Sequence, residues 1–77
     1  MTALNLTSAK SYVLLQLRHD KGWTLRETTN RAPIALGYLS EIERGVKQPS
    51  DEVLKVLLDT LEVSLAEYLR KVADLVE

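Results

Sequence analysis

Seventy-seven residues, 45% of them hydrophobic, with no cysteine and a formal net charge of -1, make one small domain over residues 1–77, near the size at which a single core leaves little stability to spare. Without cysteine there is neither a disulfide framework nor a thiolate metal site. No apolar run approaches membrane-spanning length and the N-terminus MTALNLTSAK carries no leader-like pattern, so a soluble, cytoplasmic chain without membrane partners is expected.

In chain order, Met1 to Asn5 has no pattern and is expected to be mobile. Thr7 or Ser8 is expected to cap a first helix running to about Lys21, with Tyr12 or Val13, Leu14 and Leu17 on its apolar side and Gly22 at its end. Trp23 precedes a cap formed by Thr24, and Glu27 stands three residues on, the spacing of a capping box. Trp23 is read as the hydrophobic staple of that helix start and as core rather than as a platform for bases. The helix begins at Leu25 and is expected to stop near Arg31 or Ala32, because Pro33 lacks an amide hydrogen and pushes the preceding residue out of the α region. A further helix starts at Ile34 or Ala35. Its apolar residues Leu36, Leu39 and Ile42 recur at three-residue spacing, and Gly45 ends it. Two short helices with a brief connection, over residues 24–45, form a helix-turn-helix, whose second helix in DNA-binding examples lies in the major groove.

Beyond the polar loop VKQPS, Ser50 is expected to cap a fourth helix with Asp51 and Glu52 in its first turn and Val53, Leu54, Leu57, Leu58 and Leu61 on its apolar side. Ser64 and Glu67 repeat the capping-box spacing and open a fifth helix, 64–76, whose stripe Leu65, Leu69, Val72 and Val76 is expected to meet a second subunit. The charge is unevenly spread. From residue 18 to 47, Arg18, Lys21, Arg26, Arg31, Arg44 and Lys47 outnumber Asp20, Glu27, Glu41 and Glu43 by two, whereas residues 48 to 77 carry four more acids than bases. Such a field can orient the chain on a polyanion, although charge alone fits an ordinary mixed surface equally well.

The tract TLRETTNRAPIALGYLSEIERGVKQPS, and GYLSEIERG above all, resembles the Cro/CI-type repressors, also called the XRE family. TLRE with GYLSEIERG is also similar to the actinobacterial regulators of Clp protease genes. The likeness covers roughly residues 12 to 69. It implies an all-α, five-helix Cro/CI repressor-like fold and a homodimeric, sequence-specific transcription regulator that reads an inverted repeat in double-stranded DNA. By motif match, Arg18 pairs with Glu43 as a structural ion pair of low exposure. The outward positions expected to face bases fall on Ala35, Leu36, Gly37, Ser40 and Glu41, with Leu36 counted also in the apolar stripe. Glu41 could accept from a cytosine amino group, Ser40 could bond a base or a phosphate, and Ala35 or Leu36 could meet a thymine methyl. Arg26, Arg31, Arg44 and Lys47 are expected to hold phosphates. The chain departs from the family pattern at Leu25, where a Gln is usual, at Thr28 for an aliphatic residue, at Pro33 for a small flexible one, and at Ala35 for a capping Ser or Thr.

Nothing in the sequence assembles a nucleophile with a base, a metal cluster or a phosphate-cradling glycine loop, so no enzyme, no catalytic residue and no cofactor are expected. His19 has no partners for a metal, and no small-molecule ligand is expected in this length. A protein-interaction module on the same fold, such as an antitoxin or anti-repressor, is the alternative to a DNA reader.

Overall fold

The computed structural model describes residues 4–76, which form five helices. They are α1 (Leu6–Asp20), α2 (Leu25–Thr29), α3 (Leu36–Glu43), α4 (Asp51–Leu61) and α5 (Leu65–Leu75). The expectation for Met1 to Ala3 lies outside the described residues. Leu4 and Asn5 are ordered by specific contacts: the Leu4 amide donates to the Leu75 carbonyl at 2.8 Å, beside a parallel bridge to Val76. Asn5, not Thr7 or Ser8, caps α1, its Oδ1 accepting from the Ser8 amide at 2.8 Å.

The helix ends follow local chemistry. Thr24 and Glu27 make the reciprocal capping box, with the Glu27 amide donating to Thr24 Oγ1 at 3.1 Å and the Thr24 amide to Glu27 Oε1 at 3.0 Å. The Thr24 backbone bond, then its side chain, hold the Glu27 carboxyl below the usual carboxylate range. Ser50 and Ser64 each cap one later helix by accepting from the amide three residues on. Gly45 takes φ 76°. The Gly45 amide donates to the Ile42 carbonyl at 3.1 Å and the Val46 amide to the Glu41 carbonyl at 2.9 Å, the paired bonds of a Schellman ending. Thr24→Ala should lower stability by about 1 kcal/mol, the usual cost of a lost cap. Urea denaturation measures it, and an unchanged midpoint would show that the cap contributes nothing.

Helix α2 is shorter than its sequence suggests. It stops at Thr29, before Arg31, and the Ile34 amide then donates to the Ala32 carbonyl at 2.7 Å. That i to i+2 bond closes a three-residue turn around Pro33, a conformation that tolerates the proline ring without a left-handed residue. Helix α3 consequently begins at Leu36, one or two residues later than expected, and its cap Ala35 offers no side-chain acceptor.

One core joins the helices. Ala9, Val13, Leu14 and Leu17 of α1 meet Leu39 and Ile42 of α3, Leu57, Leu58 and Leu61 of α4, and Tyr68 and Val72 of α5. Thr28, at the usual place of an aliphatic residue, is 1% exposed and donates its hydroxyl to the Thr24 carbonyl at 2.9 Å, so the buried oxygen is satisfied. Tyr12 is exposed while Val13 is in the core, which settles that pair of alternatives.

The stripe assigned to a second subunit divides. Val72 is buried in the protomer core and is not available to a partner as expected, while Val76 is partly buried against that core beside Leu4. Leu65 and Leu69 are 55% and 49% exposed. Successive residues of a helix turn by about 100°, and the face α5 turns inward is centred on Tyr68 and Val72, leaving Leu65 and Leu69 on its flank.

Candidate nucleic-acid interface

Helix α3 is fixed from behind by a buried ion pair. Arg18 Nε donates to Glu43 Oε2 at 2.8 Å and its Nη2 to Glu43 Oε1 at 2.9 Å, while Nη1 donates to the Trp23 carbonyl at 2.6 Å. The side chains are 11% and 6% exposed. Hydrogen bonding to Glu43 raises the Arg18 pKa, burial opposes this, and the carboxylate charge adds to it. The guanidinium fork thereby ties the end of α1, the start of α2 and the last turn of α3 into one rigid unit. The bond to the Trp23 carbonyl was not foreseen. Its signal in the sequence is that a glycine ending, Gly22, follows Arg18 by four residues and folds the chain back over it.

With Leu39 and Ile42 inward, the other faces of α3 are set. Ala35, Leu36, Gly37 and Arg44 are exposed, and Ser40 and Glu41 are partly so. Leu36, Gly37, Ser40, Glu41 and Arg44 follow i, i+1, i+4, i+5 and i+8 spacing and therefore share one side of the helix, with Ala35 at its cap. Leu36, at 36% exposure, belongs to this side and leaves the apolar stripe in which it was counted. A Cβ built on Gly37 would meet nothing within 4 Å, so this stretch of backbone is open from outside.

The four basic residues differ in setting. Arg26 and Arg44 are exposed, and among the described residues neither forms an ion pair. Arg31 lies over the Trp23 ring, 4.3 Å from its centroid, and Nη1 donates to the Glu27 carbonyl at 2.8 Å. Lys21 approaches the same ring at 5.6 Å. Trp23 is thus half-buried against the core and also a cation platform. Lys47 stands 3.8 Å from Glu41 and 6.0 Å from the Tyr38 ring.

Among the described residues, no group of three His, Cys, Asp or Glu side chains is placed to hold a metal ion. Among the described residues, no helix is long and apolar enough to cross a membrane. What the arrangement offers is a capped helix, a tight turn and a second helix whose outer side carries Leu36 among small and polar residues and is flanked by cations, which is the helix-turn-helix arrangement.

Residues 13–70 match the model of the helix-turn-helix domain, and the chain belongs to that family. Over 57 residues it is 47% identical to the transcriptional regulator ClgR of Mycobacterium tuberculosis, a match covering 74% of this chain and 51% of the relative. Over 59 residues it is 36% identical to the HTH-type transcriptional regulator DdrOP3 of Deinococcus deserti, covering 77% and 46%. The chain spans about half the length of these curated relatives. It superposes on the crystal structure of the clp gene regulator ClgR from C. glutamicum with a TM-score of 0.87 at 37% identity, over 99% of this chain and 97% of the other. It also superposes on the restriction-modification controller protein C.Esp1396I, in the structure of its tetramer with its natural 35 base-pair operator, with a TM-score of 0.83 at 26% identity, over 90% and 91%. The Cro/CI-type resemblance of GYLSEIERG, and the Clp-regulator likeness of TLRE with GYLSEIERG, agree with these relatives.

Proposed function

We propose that the chain is a sequence-specific DNA-binding transcription regulator that acts as a homodimer on an inverted repeat, with α3 in the major groove. The observation that carries this reading is the outward side of α3, where Leu36, Gly37, Ser40, Glu41 and Arg44 share a face on a helix clamped by the Arg18–Glu43 pair. The operator complex of C.Esp1396I supports it by analogy of fold. In this reading Ala35, Leu36, Gly37, Ser40 and Glu41 approach base edges, with Glu41 accepting from cytosine, while Arg26, Arg31, Arg44 and Lys47 hold phosphates. Arg31 is suited to this because its stacking on Trp23 and its bond to Glu27 fix much of the side chain beforehand.

The partner for Leu65 and Leu69 is a second copy. Leu65 also borders an apolar groove with Leu54, Leu58 and Val63 between α4 and α5, which widens the surface available for pairing. Leu69→Glu should leave the fold intact, since the side chain is half exposed, and weaken self-association at least about tenfold through a buried, unpaired charge. Sedimentation equilibrium tests this; an undiminished dimer would place the interface elsewhere.

The function is tested by selecting binders from random-sequence DNA at two salt concentrations. Enrichment of a palindrome whose half-sites lie one turn apart, about 34–36 Å, with affinity falling steeply as salt rises, is the expected result. Retention that tracks salt without any enriched sequence would point instead to an interaction module on a borrowed fold.

A further inference from the structure

The Schellman ending of α3 places Lys47 back over the helix it has just left. Besides the Val46 bond, the Lys47 amide approaches the Glu41 carbonyl at 3.3 Å, so the backbone fixes where the Lys47 side chain starts. Its ammonium then lies 3.8 Å from Glu41 Oε1 and 6.0 Å from the centroid of Tyr38, one turn earlier on α3. The Glu41 carboxylate is the only acidic side chain on the outward side of α3, and on a DNA-reading face a carboxylate is repelled by every nearby phosphate. Both side chains remain partly open to solvent, at 56% for Lys47 and 32% for Glu41, and an exposed pair of this kind is weak enough to be exchanged.

We propose that Lys47 is a positioning residue for Glu41, and that the two act as one exchangeable specificity unit. This rests on the reading of α3 as the base-reading helix. In the free protein Lys47 neutralises and holds the carboxylate. On DNA its ammonium turns to a phosphate while staying close enough to offset the charge of Glu41, which is released to accept from a cytosine amino group. On a wrong base pair no donor replaces the ammonium, and the carboxylate is left unpaired beside the backbone. Discrimination therefore depends on both residues, although only Glu41 would touch a base.

A double-mutant cycle on the selected operator, and on the same operator with the cytosine pair replaced, tests the coupling. In the wild-type background, Glu41→Ala should lower operator affinity at least about fivefold and erase the preference at that pair. In the Lys47→Ala background the sign reverses, and Glu41→Ala should raise affinity, because an uncompensated carboxylate is removed. Lys47→Arg should keep both affinity and preference. Thermal melts matching the wild type confirm that the variants are folded, as both side chains lie on the surface. If Lys47→Ala weakens all sequences equally and the two substitutions act independently, Lys47 is a plain phosphate contact and the proposal is overturned. Wild-type protein that selects no sequence fails earlier and removes the base-reading role of α3, and the proposal with it, without any variant being needed.

Discussion

Replacing Glu43 with alanine is expected to remove a large share of the protein's stability. Arg18 would keep its bond to the Trp23 carbonyl but lose both bonds to the carboxylate, leaving a guanidinium that is 11% exposed without its counter-charge. Breaking one side of a buried pair costs about 3–5 kcal/mol. A chain of this length has a total stability of roughly 4–12 kcal/mol, and a single small core tends to the lower part of that range. The loss is therefore a large share of the whole. Glu43→Gln keeps one acceptor and should fall between alanine and the wild type. Circular dichroism with urea titration distinguishes these outcomes, and a Glu43→Ala midpoint equal to that of the wild type would show that the pair contributes nothing.

The complementary substitution separates stability from geometry. Exchanging both residues, Arg18→Met with Glu43→Leu, removes the desolvated charges together and should recover much of the stability lost in the single variant. Such a protein would still lack the fork that joins α1, the α2 start and α3. Its operator affinity should fall below that of the wild type even where its melting temperature does not, because the orientation of α3 is then set by packing alone.

How much of this was legible in the sequence depends on whether the deciding interaction is local. The Thr24–Glu27 box, the caps at Ser50 and Ser64 and the ending at Gly45 all rest on atoms within a few residues of one another, and all appear where the sequence places them. The start of α1 was misplaced because Asn5, Thr7 and Ser8 are all competent caps. The bond between Leu4 and Leu75, from the far end of the chain, accompanies the choice of Asn5. Spacing by three looks helical and puts Leu36 in one stripe with Leu39 and Ile42. Each such step falls about 60° short of a full turn, so over two steps Leu36 drifts off the buried side. The α5 stripe failed for the opposite reason. Leu65, Leu69 and Val72 do share a sector of the helix, but Val76 lies beyond its end in extended backbone, and Tyr68 shifts the centre of burial toward itself and Val72, which periodicity cannot show. In the candidate interface, the residue types were legible, and so by motif match was the Arg18–Glu43 pair, but the other pairings were not. Nothing short of the folded backbone brings Lys47 to Glu41 or Arg31 onto Trp23.

Gly37→Ala should move stability and DNA affinity in opposite directions, and that opposition is what makes it informative. Glycine costs about 1 kcal/mol relative to alanine in a helix interior, and part of that cost applies at Gly37 in the first turn of α3. The new methyl would meet no atom of the protein within 4 Å, so nothing in the fold opposes the gain and the melting temperature should rise. On DNA the same methyl projects from the side of α3 that carries Leu36, Ser40 and Glu41. If the backbone at residue 37 approaches the groove closely, the helix must withdraw or tilt, and the contacts of Ser40 and Glu41 lengthen together. Operator affinity should then fall at least about tenfold, equivalent to about 1.4 kcal/mol. The loss should be smaller on non-specific DNA, where phosphates rather than base edges set the affinity. Thermal denaturation and fluorescence anisotropy on the two DNAs read these quantities separately. A variant that is more stable and binds the operator as tightly as the wild type would move the close approach away from Gly37 and shift the base-reading part of α3 toward Ser40 and Arg44.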